Sequence, residues 1–245
     1  MKAVSLFSGI GGFDLGLERA GIETILQVEI DPFCRRVLEK HWPDVLRIAD
    51  VRDVTAADCA GVDLIYGGFP CQPVSVEGKR LGQVDERWLW PEFARLIRQV
   101  RPRYALMENV AGLFTAGLDL VLADLAAIGR DAEWTVVSAC SVGAAHPRER
   151  VFILSYSAGI GLEGRVQEWS RIGIEALPQT PVRWELSAPY VCRSSDGIPD
   201  RTHRLRSLGN AVVPQVAEYV GRRLMAFDRA LTDETTTSTP EGAIG

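Results

Sequence analysis

Residues 2–12 have the sequence Lys-Ala-Val-Ser-Leu-Phe-Ser-Gly-Ile-Gly-Gly, and this stretch decides the fold of the chain. The run Lys2–Leu6 predicts a strand, and the glycines after it predict a tight turn into a helix at 13–20. Glycines at such a turn let a ligand approach the backbone closely. About 20 residues on, Glu29 ends the next predicted strand, where an acid can bind ribose hydroxyls. The pattern suits an adenosine-containing cofactor and does not distinguish a nicotinamide dinucleotide from S-adenosylmethionine.

Short β-rich runs alternate with helical patterns as far as residue 156. The predicted strands are 2–6, 24–29, 64–66, 104–107, 134–139 and 151–156, and the predicted helices are 13–20, 32–41, 92–100 and 118–128. This alternation is typical of an α/β domain with a largely parallel sheet and helices on both faces. Apolar residues at 216, 217, 220, 224 and 225 predict a last amphipathic helix at 215–231.

The composition is that of a globular protein, with 245 residues of which 47% are hydrophobic and 24% charged. We divide the chain into an α/β domain at 1–156, an irregular region at 157–200 rich in Gly, Pro, Ser and Trp, a C-terminal segment at 201–231 and a tail at 232–245 that we expect to be disordered. No apolar run approaches the roughly 18 residues of a membrane span, and the N-terminus lacks the features of a signal peptide. We therefore expect a cytoplasmic protein without a membrane partner.

Cysteine spacing and net charge narrow the choice of partners. The five cysteines, an odd number without Cys-x-x-Cys spacing, argue against a disulfide framework and a zinc cluster, so no metal is expected. The net charge of −5 by itself argues against a nucleic-acid partner. However, the tail 232–245 carries −3 of that charge, and arginines crowd elsewhere, at 148, 150, 193, 201, 204 and 206. The overall net charge therefore neither supports nor excludes a nucleic-acid partner.

Two motifs place reactive groups at the ends of predicted strands. Cys71 lies between two prolines in Gly-Gly-Phe-Pro-Cys-Gln-Pro (67–73), which displays its thiol instead of packing it. Glu108 follows the next predicted strand and should reach the same sheet edge, where a carboxyl of raised pKa can donate a hydrogen bond. The polar segment 75–90 suits either a mobile lid or a plain surface loop.

Two further motifs lie towards the C-terminus. Alternation along an extended chain puts Arg148 and Arg150 on one side, where paired guanidiniums can grip a phosphate and a polar ring edge. The segment 208–214, Leu-Gly-Asn-Ala-Val-Val-Pro, predicts a tight turn before the last helix.

Taken in order, these segments resemble the motifs of the DNA (cytosine-5)-methyltransferase family, over residues 1–155 and 201–231. The resemblance implies a Rossmann-like, S-adenosylmethionine-dependent methyltransferase fold with a small irregular target-recognition lobe at 157–200. His146 departs from the family pattern, which has Gln there, and the lobe is short. A compact enzyme of the phage or restriction-modification type fits best.

The resemblance also assigns roles to individual residues. The catalytic residues would be Cys71, adding to C6 of cytosine, Glu108 at N3, Arg150 at O2, and Arg148 supporting a loop or a phosphate. Glu29 and Asp50 would contact the ribose and the adenine, within a cofactor set of Phe7, Gly9, Ile10, Gly11, Gly12, Glu29, Ile30, Asp50, Val51, Pro70, Asn210 and Val212. The DNA-binding set would be Gln72, Ser75, Lys79, Arg80, Arg193 and Arg201.

The implied activity is methyl transfer from S-adenosylmethionine to C5 of a flipped-out cytosine in double-stranded DNA. We expect a monomer that acts in the cytoplasm, and a separate cognate restriction endonuclease is compatible with this activity. Three alternatives stay open: a methyltransferase of RNA (tRNA) cytosine, a catalytically silent DNA-binding regulator, and a nicotinamide oxidoreductase.

Overall fold

A computed structural model describes residues 1–70, 88–144, 146–157 and 200–237. Its strands are β1 (Lys2–Leu6), β2 (Glu23–Val28), β3 (Leu46–Ile48), β4 (Leu64–Gly68), β5 (Tyr104–Val110), β6 (Arg130–Ser138) and β7 (Glu149–Ser157). Its helices are α1 (Gly12–Arg19), α2 (Pro32–His41), α3 (Trp90–Val100), α4 (Leu113–Ala116), α5 (Leu118–Ala127), α6 (Arg201–Asn210) and α7 (Pro214–Thr237), with short 3₁₀ turns at Val51–Asp53 and Ala139–Val142.

The strands form one seven-stranded sheet in the order β3-β2-β1-β4-β5-β7-β6. Strands β1 to β5 pair in parallel, whereas β7 is antiparallel to both β5 and β6. The order reverses between β1 and β4, which is where ligands bind in open parallel sheets. The predicted α/β fold with a mostly parallel sheet is therefore confirmed.

The core lies on both faces of the sheet because the central strands are apolar at successive positions. Along β5, Tyr104 and Leu106 pack on one face, with Phe13 of α1 and Phe227 of α7. The alternate residues of β5 pack on the other face with side chains of α3 and α5. Strands buried on both faces have nearly continuous apolar sequences, as observed here. The sheet is therefore held between two helical layers, and its carboxyl edge is left for polar residues.

Most predicted element boundaries agree with the structure to within a few residues, and two assignments were wrong. The last helix runs to Thr237 instead of ending at residue 231, because Leu231 is buried and the Thr232 hydroxyl donates to the carbonyls of Asp228 and Arg229. A disordered tail starting at 232 is thus incorrect, and residues 238–245 lie outside the described ranges.

The second wrong assignment is the predicted turn at 208–214, whose first three residues are helical. They complete α6, which packs against α2: Phe33 and His203 stack with ring centroids 5.7 Å apart, and Cys34 Sγ lies 3.4 Å from Ser207 Oγ. This helix was missed because it has little apolar periodicity and is held by contacts with a distant segment. The predicted irregular lobe, apart from Ser157 and Asp200, lies outside the described residues.

Candidate active site

The glycine-rich turn after β1 is tied to strand β2. The backbone takes left-handed conformations at Phe7 (φ 56°), Gly9 (φ 56°) and Gly11 (φ 83°). The Ser8 amide donates to the carbonyl of Val28 at 3.0 Å, so the turn is fixed against the end of β2. A left-handed Phe costs about 1 kcal/mol or more, and such strain is frequent at ligand sites. Strained backbone at the start of α1 thus marks this turn as a candidate ligand site.

Glu29 links this turn to the start of α2. One carboxylate oxygen accepts a hydrogen bond from the Gly9 amide at 2.7 Å, and the other accepts one from the Asp31 amide at 2.8 Å. Burial raises the pKa of Glu29, while these two amides oppose the rise. The next residue, Ile30, is 65% exposed, which is unusual for a large apolar side chain. An organised carboxylate beside an exposed apolar side chain can bind a ribose and a neighbouring flat ring.

The C-terminal segment returns to the glycine-rich turn. A Cβ atom at Gly12 would lie 2.3 Å from the carbonyl oxygen of Val212, so a larger residue would displace one of the two backbones. Asn210 precedes this contact and lines the same cavity as Gly9 and Glu29. Residues about 200 positions apart in the sequence therefore form one wall of this cavity.

A cavity of about 600 Å³ opens at the carboxyl edge of the sheet, a volume in the range of small-molecule sites. It brings together most of the predicted cofactor and catalytic residues that the structure describes: Phe7, Gly9, Glu29, Ile30, Pro70, Asn210 and Val212, with Glu108, Arg148 and Arg150. Other residues of its lining had no predicted role, among them Cys34, Arg52, Arg206 and Ser207. Those on α6 had no local signal, because α6 itself was not predicted.

Five predicted cofactor residues are not in the lining: Ile10, Gly11, Gly12, Asp50 and Val51. Gly11 packs against the Trp42 ring, and Val51 is buried in the core. Asp50 turns back on its own segment, where its carboxylate accepts from the Arg52 amide at 3.0 Å and pairs with the Arg52 guanidinium at 3.3 Å. Gly11, Asp50 and Val51 therefore have packing or capping contacts in this structure, and Arg52 of the same segment lines the cavity.

Glu108 is the buried acid of the cavity, with 8% of its surface exposed. A Cβ at Gly68, its partner on the neighbouring strand, would lie 2.6 Å from its Oε2, so a larger residue at position 68 would displace the Glu108 carboxylate. Burial raises the pKa of Glu108 to about 7, against the opposing effects of Arg150 and Arg148. Its carboxyl group can therefore exchange a proton near neutral pH.

The two predicted arginines have different partners. Arg150 Nε donates to Glu108 Oε1 at 2.9 Å, so these two predicted catalytic residues are in direct contact. Arg148 Nη2 donates to the carbonyl of Gly209 at 2.6 Å and to that of Ala211 at 3.1 Å. His146, the departure from the family pattern, is exposed and lines a second cavity of about 560 Å³ on the other side of Arg148.

The backbone that leads to Cys71 is held by Asn109. The Asn109 side-chain amide donates to the carbonyl of Phe69 at 3.2 Å, and its oxygen accepts from the Val110 amide at 2.8 Å. Phe69 also packs edge-on against Trp88, with ring centroids 5.6 Å apart. No role for Asn109 was predicted from the sequence, and the contact with Phe69 across the sheet reveals one.

Several predicted residues lie outside the described ranges. These are Cys71, Gln72, Ser75, Lys79, Arg80 and Arg193, and for Arg201 the structure describes the helix but not the side chain. Among the described residues, no three His, Cys, Asp or Glu side chains are grouped as a metal site would need. None of the described helices is both long enough and apolar enough to cross a membrane.

A buried polar cluster lies beneath the glycine-rich turn. Asp14, 1% exposed, accepts hydrogen bonds from Ser5 Oγ at 3.1 Å and Gln27 Nε2 at 3.0 Å. Ser8 Oγ lies 2.8 Å from Ser5 Oγ and extends the cluster to the turn itself. Burial raises the pKa of Asp14 from 3.8 to about 6, although its hydrogen bonds oppose this. The folded state therefore binds the Asp14 proton more tightly than the unfolded chain does.

This shift predicts a pH-dependent stability. Because the folded pKa is raised, the contribution is complete below about pH 4 and is lost as the pH rises through about 6. Relative to Asp14→Asn, the wild-type free energy of unfolding should fall by roughly 3 kcal/mol between about pH 4 and pH 7. Urea denaturation across this pH range measures the free energy of unfolding. The control is Asp131→Asn, at an exposed position of β6. Parallel curves for the wild type and Asp14→Asn would contradict the prediction.

Comparison with known proteins adds family evidence to this geometry. The model of the C-5 cytosine-specific DNA methylase family matches residues 1–180. The Type II methyltransferase M.NgoMIV of Neisseria gonorrhoeae is 35% identical over 158 residues, covering 62% of this chain and 51% of that protein. M.AquIA of Picosynechococcus sp. is 34% identical over 180 residues, covering 64% of this chain and 73% of that one. This chain thus spans about half the length of the first relative and nearly three quarters of the second.

A solved structure is also similar. A prophage-encoded Escherichia coli chain, described as a candidate DNA modification methyltransferase, superposes with a TM-score of 0.54 at 29% identity. The likeness covers 64% of this chain and 47% of that one.

Proposed function

Because this chain belongs to the C-5 cytosine-specific DNA methylase family, we propose that it transfers a methyl group from S-adenosylmethionine to C5 of cytosine in double-stranded DNA. One observation carries the proposal: a single cavity combines a wall suited to an adenosine-containing cofactor with the Glu108–Arg150 pair. Pro70, the residue before Cys71, lines the same cavity. A nicotinamide oxidoreductase would leave the acid–arginine pair and the cysteine turn unexplained.

The residues present fit S-adenosylmethionine. The cavity of about 600 Å³ is large enough for it, Glu29 is held in place by two amides, and exposed Ile30 offers an apolar surface for a ring. The cofactor residues we propose are Phe7, Gly9, Glu29, Ile30, Pro70, Asn210 and Val212. The other predicted cofactor residues do not line the cavity and would hold these lining residues in place: Ile10, Gly11, Gly12, Asp50 and Val51. When bound, the cofactor would supply an electrophilic methyl group, and breaking of its S–CH3 bond would leave S-adenosylhomocysteine as the product.

Cys71 is the proposed nucleophile, because C5 of cytosine is itself too weak a nucleophile to accept a methyl group. The Cys71 thiolate adds to C6, and the electron pair of the C5–C6 double bond becomes available at C5. Once C5 has been methylated, loss of the C5 proton restores the double bond and expels the thiolate. The cysteine is thereby regenerated and 5-methylcytosine is released.

Glu108 and Arg150 hold the base during this addition. Protonated Glu108 donates to N3 and stabilises the ring as negative charge develops on it, and its pKa of about 7 provides that proton at neutral pH. Arg150, which is paired with Glu108, binds O2. The target cytosine must leave the stacked duplex to reach this pocket, at a cost of roughly a few kcal/mol.

DNA contacts are proposed from the sequence alone, at Gln72, Ser75, Lys79, Arg80, Arg193 and Arg201. Arginine contacts with guanine are the commonest specific readout in the major groove, so the region 157–200 is the proposed target-recognition element. We propose that the protein acts as a monomer in the cytoplasm, an activity compatible with a cognate restriction endonuclease that acts separately.

The test is incubation of the purified protein with unmethylated genomic DNA and S-adenosylmethionine, followed by bisulfite sequencing. A protected cytosine that recurs in one short sequence motif is the expected result. Failure to protect any cytosine, with cofactor binding measured separately, would reject the proposal. Methylation of a tRNA transcript in a parallel reaction would then favour an RNA substrate, and inactivity on both would favour a silent regulator.

A further inference from the structure

The guanidinium of Arg148 is bound to the C-terminal end of α6. Its Nη2 donates to the carbonyl oxygens of Gly209 and Ala211 at 2.6 and 3.1 Å. The last carbonyls of a helix have no partners within the helix, and the helix dipole places partial negative charge there. A cation at this end donates hydrogen bonds to the free carbonyls and is attracted by the negative end of the dipole. Arg148, the residue just before β7, therefore caps α6 although it lies 61 positions before Gly209 in the sequence.

Arg148 is itself anchored in the core. Its carbonyl accepts a hydrogen bond from the amide of Ala139 at 3.1 Å, and Ala139 is fully buried. Its Nε is also buried and has no hydrogen-bond partner among the described residues. A guanidinium that is partly dehydrated and bonded to two carbonyls is poorly placed to grip a DNA phosphate, which calls for exposed and unengaged donors.

The residues that follow the capped end of α6, 211 and 212, form part of two cavity walls. Ala211 and Val212 line both the cofactor cavity and the second cavity beside His146, and Arg148 lines both as well. On the far side the segment meets the glycine-rich turn, where the Val212 carbonyl lies against Gly12. The placement of Asn210 over the cofactor cavity is thus set by Arg148 on one side and by the turn on the other.

We propose that Arg148 is a positioning residue that holds residues 209–211 as the C-terminal wall of the cofactor cavity, and that it acts on cofactor affinity instead of DNA affinity. The identity of the cofactor rests on the proposed function, but the capping contact does not. Arg150, two residues further along the chain and within β7, differs because it pairs with Glu108.

The test compares Arg148→Met and Arg148→Lys with Arg150→Met. For Arg148→Met we expect the Kd for S-adenosylmethionine, measured by calorimetry without DNA, to rise about tenfold, since two charge-assisted hydrogen bonds are lost. Its kcat at saturating cofactor and its KM for DNA should stay within about threefold of wild type. Arg148→Lys, which keeps the positive charge and a donor nitrogen, should show a smaller rise. Arg150→Met should instead lose turnover while keeping its cofactor Kd.

Two outcomes would overturn the proposal. One is an unchanged cofactor Kd together with weaker DNA binding and a salt dependence reduced by about one phosphate contact, which is the signature of a phosphate-binding arginine. The other is a proportional loss of kcat with no change in cofactor affinity, which would make Arg148 a catalytic residue.

A ligand-free measurement separates this inference from the proposed function. Hydrogen–deuterium exchange at residues 207–213 should be faster in Arg148→Met than in wild type, with a smaller change in Arg148→Lys, while β1 and β4 keep their protection. If the wild type binds no S-adenosylmethionine, the proposed function fails, and exchange at 207–213 still decides whether Arg148 holds this segment. Unchanged exchange there would reject the positioning role.

Discussion

Replacing Cys71 by serine is expected to lower the rate of methyl transfer by about 10⁴-fold or more, because a serine hydroxyl is a far weaker nucleophile than a thiolate at neutral pH. The Kd for S-adenosylmethionine should stay close to the wild-type value, since the Glu29 and Asn210 walls of the cavity are untouched. Single-turnover methylation of a DNA duplex and calorimetry with the cofactor measure the two quantities.

The control for this substitution is Cys140→Ser. Cys140 is exposed on the 3₁₀ turn Ala139–Val142 and does not line the cofactor cavity. Its replacement should leave the rate within about twofold of wild type, which excludes a general effect of removing a thiol. A Cys71→Ser enzyme with near-normal turnover would eliminate covalent addition at C6 as the mechanism.

Replacing Glu108 by glutamine should reduce methyl transfer by roughly 10²- to 10⁴-fold, the usual contribution of a positioned acid or base. The amide can still donate to N3, but it cannot exchange a proton as charge develops on the ring. Single-turnover rates measure the loss, and Glu23→Gln, at the exposed amino end of β2, is the matched control. A loss below tenfold would exclude Glu108 as the proton donor.

The pH dependence provides a second readout of Glu108. Its pKa is raised to about 7, so the protonated form predominates below that pH and declines above it. The ratio of kcat/KM in the wild type to kcat/KM in Glu108→Gln should therefore fall above about pH 7. In Glu108→Gln itself the falling limb should disappear. A falling limb that persists in the variant would assign it to another group.

The sequence predicted those structural elements that depend only on residues close together in the chain. The strand–turn–helix at 2–19 follows from an apolar run and glycines, and β4 and β5 follow from apolar runs that end in polar motifs. The meeting of Glu29, Pro70 and Glu108 at one edge was also predictable, because the carboxyl ends of parallel strands share an edge. The structure confirms that all three residues line one cavity.

Family motifs predicted residue types more reliably than they predicted contacts. Asp50 and Val51 were matched to the cofactor by position, yet the structure turns Asp50 towards Arg52 and packs Val51 in the core. Capping of a short 3₁₀ turn and burial of a valine depend on the neighbouring backbone, which a motif does not encode. Asn109 gains its role through a bond to Phe69 across the sheet.

By itself the sequence determined the α/β class, the glycine-rich turn, the family and the identities of the acid, the arginines and the cysteine turn, because each depends on residues within a few positions of one another. Tertiary structure alone decided that β7 lies between β5 and β6, that Val212 closes on Gly12, that Arg148 caps α6, and that burial brings the pKa of Glu108 to about 7. These features join segments that are far apart in the chain. Packing, desolvation and unpaired helix-end carbonyls determine them, and such forces act only once the chain has folded.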